Sequence, residues 1–413
     1  MNREIKMHRR SLLLGAAAAP VLGMGHFAQA AAPIKIGLLE DISGDLAAIG
    51  IPKLHGSQLA VEEVNAAGGI MGRPVELIHL DPQGDNARYQ EFARRVLQRD
   101  KVDVLIGGIT SASREAVRPV VDRLNAFYIY TNQYEGGVCD GNMLSVGAVP
   151  EQQLSTLLPW MVEKYGKKVY TIAADYNFGH LSSAWGNSIL KPLGCEILGE
   201  EFIPLGVSQF AQTIQNIQRA KPDWLYMLDV GAAQSSFYEQ KNAAGVSLPM
   251  ASPVKIMLGF EHKRFPPGVM KDMYAAANWF EELNTPAAEA FKKRWHAKFP
   301  NEVYINDMGY NAYVAIFMYK MLAERAKSTH KDAIREAMAA GDAGIDAPEG
   351  RIVIDPKSQH CSHVMRLIGV DAQNSVSILK DFGDIQPYWL SKVGCDLTKS
   401  DPKEQYTPDH LPG

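Results

Sequence analysis

Residues 102–130 read VDVLIGGITSASREAVRPVVDRLNAFYIY. VDVLIGG (102–108) is a continuous apolar run ending in two glycines. ASREAVRPVVDRLN (112–125) carries its valines three and four apart, the period of a helix face. AFYIY (126–130) is apolar again. A strand, a helix and a second strand with no polar alternation predict parallel strands covered on both faces.

The same alternation runs outward in both directions. IKIGLLE (34–40), VELIHLD (75–81) and KVYTIAAD (168–175) read as strands, and so do CEILGEEF (195–202) and WLYML (224–228). Helical patterns separate them at 52–67, 87–100, 151–165, 180–193, 209–220 and 232–244. MYAAANWFEE (273–282) is a further strand, followed by helices at 286–299 and 307–326. RIVID (351–355), HVMRLIGV (363–370) and VSILKDF (376–382) read as a small antiparallel appendage, and the tail 391–413 reads as irregular. At 413 residues the chain is too long for one ordinary core. The fold class is therefore α/β, with two doubly wound lobes.

The first thirty residues follow another logic. Arg9 and Arg10 precede LLLGAAAAPVLGMG, and Ala28-Gln29-Ala30 supplies small residues for cleavage. This is the pattern of a signal peptide over 1–30, too short in its apolar part to span a bilayer. HRRSLLLG fits a twin-arginine signal, and the general secretory route stays open beside it. Periplasmic export is expected. The net charge is −4 and becomes more negative once Arg3, Lys6, Arg9 and Arg10 leave with Glu4. With no basic run, nucleic acid and acidic membrane surfaces are poor partners. Cys139, Cys195, Cys361 and Cys395 allow one or two disulfides, and spacing does not choose the pairing. His360-Cys361-Ser362-His363 has no second ligand group at a fitting distance, so no metal or other cofactor is expected.

No GxSxG, HExxH, GxxxxGK[ST] or post-strand GxGxxG occurs, which argues against the common α/β enzymes. Ligands of doubly wound sheets bind beyond the carboxyl ends of the strands. Four such exits are polar or aromatic here: Ile109-Thr110-Ser111, Tyr130-Thr131-Asn132, Asp175-Tyr176-Asn177-Phe178 and Asn278-Trp279-Phe280. Hydroxyls at 110–113 serve as helix caps as readily as ligand contacts. Rings at 176 and 178 serve to pack a helix as readily as to sandwich a flat group. Together the exits predict a largely neutral cleft between two lobes.

IKIGLLEDISGDLAAIG, LAVEEVNAAGGIMGRPVELIHLD, IGGITSASREAVRPVV and KVYTIAADYNFG resemble, in order and spacing, the type I periplasmic solute-binding proteins of ABC transporters, the leucine/isoleucine/valine-binding superfamily. YTNQYEG, SREAVRP and IDAPEGRIVIDPKSQHCS are closer to its urea and short-chain amide binders. The resemblance implies a three-stranded hinge joining 31–149 plus 277–347 to 150–276 plus 348–390. It implies a monomer that closes on a small solute and docks on a membrane permease. Carried over, Ser111 bonds the ligand, beside Ile109 and Thr110. Tyr130 and Asn132 line one wall, and Tyr176 and Phe178 the other. Tyr134 and Glu135 hold the turn between them. Ile109, Thr131, Asn132 and Phe178 depart from the amide-binder pattern, which puts urea itself in question. An amino acid is the rival ligand, with Asp229, Glu281 or Glu282 as partner for its ammonium and Trp279 as a further ring. A sensor of the same fold and an exported enzyme are the rival functions. Of these the enzyme is set aside, because no reactive pair is visible.

Overall fold

The computed structural model of the protein describes residues 32–253 and 261–410. The expected signal peptide lies outside them. Among the described residues, no helix is long and apolar enough to cross a membrane.

Two large sheets organise the described residues. The first has eight strands. Its parallel part is Ile34–Leu39, Val75–Leu80, Val104–Gly107, Tyr128–Tyr130 and Met143–Ser145. Val104–Gly107 is buried throughout, as its unbroken apolar run requires. The second sheet has seven strands. Lys168–Ala174, Glu196–Ile203, Trp224–Leu228, Met250–Ala251 and Met273–Ala277 run parallel in it. The helix Ser111–Arg123 covers the first sheet with Val117, Val120 and Val121 and is capped by Thr110, whose side chain accepts from the Ser113 amide. Helix Asp307–Ala326 closes the other face of that sheet. Tyr310 of this helix stacks on Trp279, with ring centres 4.5 Å apart.

The C-terminal strands differ from the expected appendage. Gly344–Ala347 and Gly350–Asp355 form a hairpin that joins the first sheet through His360–Cys361. His363–Val370 instead pairs antiparallel with Met273–Ala277 of the second sheet, and Val376–Ile385 follows it there. The third crossing therefore lies between Cys361 and His363, not at 347–348 where the expected lobe bounds put it, and 348–361 belongs with the first lobe. Pairing decides this. The turns between these strands are visible in sequence, but the sheet edge that each strand finds is not.

A buried polar network ties the crossings. Glu349 accepts from Asn278 Nδ2 at 2.6 Å and meets His363 Nδ1 at 2.7 Å. His363 Nε2 reaches the Val146 carbonyl at 2.8 Å. Arg366 donates to the Glu349 carbonyl at 3.1 Å. Residues beside two of the crossings thus meet at one carboxylate, and His363 links Val146, beside the remaining crossing, to it. The histidines of the HCSH stretch are engaged here and at Tyr134, and among the described residues no group of His, Cys, Asp and Glu could hold a metal ion.

The tail is held to the rest of the chain by specific contacts over its described part. Cys395 is disulfide-bonded to Cys139, and Glu404–Gln405 pairs antiparallel with Val138–Cys139. The Tyr406 amide donates to the Gly137 carbonyl at 2.7 Å. Gly137 sits at φ +90°, and a Cβ there would meet the Tyr406 oxygen at 2.0 Å. The chain approaches so closely that only glycine fits. Cys195 and Cys361 are free. The bridge links residues 256 apart, so a Cys139→Ser, Cys395→Ser double variant should lose about 3–5 kcal/mol of unfolding free energy. Denaturant titration of the oxidised and variant proteins measures that difference.

Candidate ligand-binding site

The carboxyl ends of both sheets' strands face a narrow cavity of about 40 Å³. One water needs roughly 10–15 Å³ on this measure, so only a few fit. From the first sheet's side come Leu46, Ile49, Ile109, Thr110, Ser111, Tyr130, Asn132, Gln133 and Met308. Tyr176, Phe178, Leu205, Val230 and Gly231 come from the second. Leu46, Thr110, Tyr176 and Val230 are each the residue just before a helix. The amide-bearing, partially positive ends of four helices are therefore gathered around one small space. Only at Thr110 does a capping side chain take up a first amide; none does at Leu46, Tyr176 or Val230.

Ile109, Thr110, Ser111, Tyr130, Asn132, Tyr176 and Phe178 are thus brought together, as a lining. Two expected residues are not in it. Trp279 points into the first lobe's core, and its N–H donates to the Ile305 carbonyl at 2.9 Å. The chain crosses between lobes at that point, which turns the indole toward helices Pro286–Lys298 and Asp307–Ala326 and away from the cleft. Asp229 lies one residue before the lining residue Val230 and is buried. Its Oδ1 accepts from the Val230 amide at 2.9 Å, while Oδ2 has no hydrogen-bond partner. Burial pushes its carboxyl up to about 7. Glu281 and Glu282 are engaged within the first lobe, by His296 and Tyr304.

The polar inventory is one-sided. Tyr130 O–H and Asn132 Nδ2 both donate to the Ile109 carbonyl, at 2.9 and 2.7 Å. Asn132 Oδ1 is left buried without a partner. Burial holds the Tyr130 and Tyr176 hydroxyls above their usual range, so both stay protonated. Opposite the polar groups, Ile49, Ile109 and Met308 form a small apolar cluster with Leu46 packed on it. Leu46, Ile49 and Met308 escaped the sequence reading. Asn306 before Met308 was the available signal, since its side chain caps the helix that carries Met308 into the cleft.

Beneath Ser111 lies a buried ion pair. Arg114 Nη2 donates to Glu135 Oε1 at 2.8 Å, and the Ser111 hydroxyl donates to Glu135 Oε2. Burial alone would raise the Glu135 carboxyl, but Arg114 outweighs it, helped by Ser111 and Gln405, and holds it below its usual range. Arg114 lies 4.3 Å from the ring centre of Tyr134. Tyr134 O–H in turn meets His360 Nε2 at 2.5 Å. Burial drives His360 down to about 4 and keeps it neutral.

Residues 33–375 match the Periplasmic binding protein family. The chain belongs to it. Among curated relatives of this family, Leu/Ile/Val-binding protein homolog 7 of Brucella suis is 25% identical over 230 residues, 53% of this chain and 57% of that protein. The chain thus spans little more than half the length of the relatives it matches in this way. An R. palustris ABC-transporter solute binding protein in complex with benzoate superposes with a TM-score of 0.77 at 18% identity, covering 86% of this chain and 97% of that one. A Streptococcus pneumoniae branched-chain amino acid transporter substrate binding protein in complex with isoleucine gives 0.75 at 19%, covering 86% and all of that chain. These likenesses establish the two-lobed α/β fold of a type I periplasmic binding protein, and the family and its structural neighbours are binding proteins rather than enzymes.

The Glu135 pair makes a testable claim. Because its folded pKa is depressed, its stabilisation is present at neutral pH and is lost as pH falls below the ordinary value of 4.5. Glu135→Gln should cost about 3–5 kcal/mol at neutral pH. It should also flatten the acid limb of stability against pH, as followed by denaturant midpoints.

Proposed function

We propose that this protein is the extracytoplasmic binding component of an ABC uptake transporter and that it takes a small amphipathic amide between its lobes. The observation that carries the ligand class is Asn132, which lines the cavity and whose buried Oδ1 has no hydrogen-bond partner. A buried acceptor left empty costs free energy, and a ligand N–H repays it. The helix starts at Ser111, Asn177 and Gly231 suit a carbonyl oxygen. The Ile49, Ile109 and Met308 cluster suits a short alkyl group. Urea fills the polar positions and leaves that cluster unused. An aromatic acid, such as the benzoate named for the R. palustris neighbour, brings no N–H to Asn132 Oδ1.

Asp229 favours a second reading, an aliphatic amino acid. Its free Oδ2 beside the cavity offers a partner for an ammonium group, and the helix starts then receive the carboxylate. The Brucella relatives' name and the isoleucine-bound neighbour lend this reading weight. In either case, ligand contacts added across the cleft favour the closed form, which docks on a permease as a monomer.

Thermal shift and calorimetry with acetamide, propionamide, urea, L-leucine and benzoate separate the readings. A true ligand raises the melting temperature with concentration. Short amides are expected to do so, with affinity flat across neutral pH. If L-leucine alone does so, the amide reading fails. An ammonium must deprotonate Asp229, whose carboxyl burial raises to about 7. Amino-acid affinity should therefore fall up to about tenfold per pH unit below that value and level off above it. Asp229→Asn should weaken an amino acid roughly 10–100-fold and an amide only slightly. Ser111→Ala should weaken either ligand by about tenfold.

A further inference from the structure

We propose that Gln405, in the disulfide-tied tail, is a positioning residue for ligand contact at Ser111 and acts through Glu135. The inference rests on Ser111 being part of the site. Three donors from separate parts of the chain converge on the one buried carboxylate. Ser111 O–H takes Oε2, while Arg114 Nη2 and Gln405 Nε2 share Oε1, each at 2.8 Å. Gln405 Nε2 also donates to the Gly136 carbonyl at 3.0 Å, so its amide spans the turn that carries Glu135.

That amide has little freedom. Gln405 is paired in register with Val138, next to Cys139, whose sulfur is bonded to Cys395. The tail also reaches the second lobe. Trp389 packs edge-to-face on Trp185 at 4.7 Å, and Trp185 Nε1 donates to the Glu135 carbonyl at 3.1 Å. Trp185 sits on helix Asn177–Leu190, whose first residues face the cavity. A strap that merely covered the surface would not extend a donor into a carboxylate with no exposed area. With Gln405 withdrawn, Oε1 keeps only Arg114, and the carboxylate can turn about that one partner. The Ser111 hydroxyl then loses the fixed acceptor that sets its rotamer, and the helix start at 110–113 loosens.

Backbone deuterium exchange on the full, oxidised, ligand-free protein tests this without any ligand. In Gln405→Leu, amides 109–114 should exchange several-fold faster than in the wild type, while 34–39 stays unchanged as a sign of an intact fold. Gln405→Glu supplies a readout that a merely structural loss would not move. Near pH 7.5 its carboxylate opposes Glu135 and exchange at 109–114 rises; near pH 5 protonation restores the donor and exchange returns toward the wild type at the same pH. A folded Gln405→Leu protein with wild-type exchange at 109–114 overturns the proposal, and so does a Gln405→Glu effect independent of pH. Titration with acetamide and with L-leucine adds the functional arm: Gln405→Leu should raise the Kd of whichever binds by about tenfold. If neither binds the wild type, the proposed function fails, and the exchange result still decides the role of Gln405.

Discussion

The Glu135 carboxylate is buried, charged and beside the cleft, and much else follows from the need to satisfy it. An ionised carboxylate without partners would cost several kcal/mol at this depth. Arg114 supplies the countercharge from the same helix that begins at Ser111. The pair therefore fixes that helix's start against the turn after Tyr128–Tyr130. It also fixes Tyr130 and Tyr134, which flank the guanidinium, and through Tyr134 it reaches His360 on the last strand of the first sheet. Tail, turn, helix start and neighbouring strand are thus referenced to one charge, so the walls of the site inherit the rigidity of a buried ion pair.

The hinge obeys the same rule with different residues. Glu349 binds Asn278 and His363, and His363 binds Val146. Gln153, on the helix that follows the first crossing, donates to Gln133 on the cavity wall at 3.1 Å and to the Ala276 carbonyl at 3.3 Å. A lobe rotation about these crossings must keep the partners of Glu349 in place, because no water would replace them cheaply.

Much of this was legible in the residues. Continuous apolar runs such as VDVLIGG and WLYML mark parallel strands because burial on both faces leaves no room for polar alternation. Cavity-lining residues at strand exits, Ser111, Asn132 and Tyr176 among them, follow from the rule that such sheets form clefts at their carboxyl ends. What escaped depends on long-range pairing. The two-residue strand Glu404–Gln405 has no pattern of its own and exists only against Val138–Cys139. Strands 350–355 and 363–370 look alike in sequence, yet they belong to different sheets. Trp279 was misplaced because a ring after a strand gives no hint of which side the crossing chain will turn it to. Leu46 and Ile49 were missed for a related reason: an apolar helix start looks like core until a second lobe is placed opposite it.

Asn132 shows how one departure from the amide-binder pattern changes chemistry. A hydroxyl there would rotate freely and could donate or accept. The asparagine amide cannot, because its Nδ2 is consumed by the Ile109 carbonyl, the same acceptor that Tyr130 uses. Its Oδ1 is thereby left buried as an acceptor without a partner. Ile109 pays for this by offering its carbonyl inward to the protein and its side chain to the apolar cluster with Ile49 and Met308. Ile109 and Asn132 therefore work as a unit: one supplies an alkyl surface and the other a single acceptor. A solute lacking an N–H would bury that oxygen unsatisfied, and a solute lacking an apolar part would leave the alkyl wall against water. On the proposed function, the wall would favour both features in one small molecule.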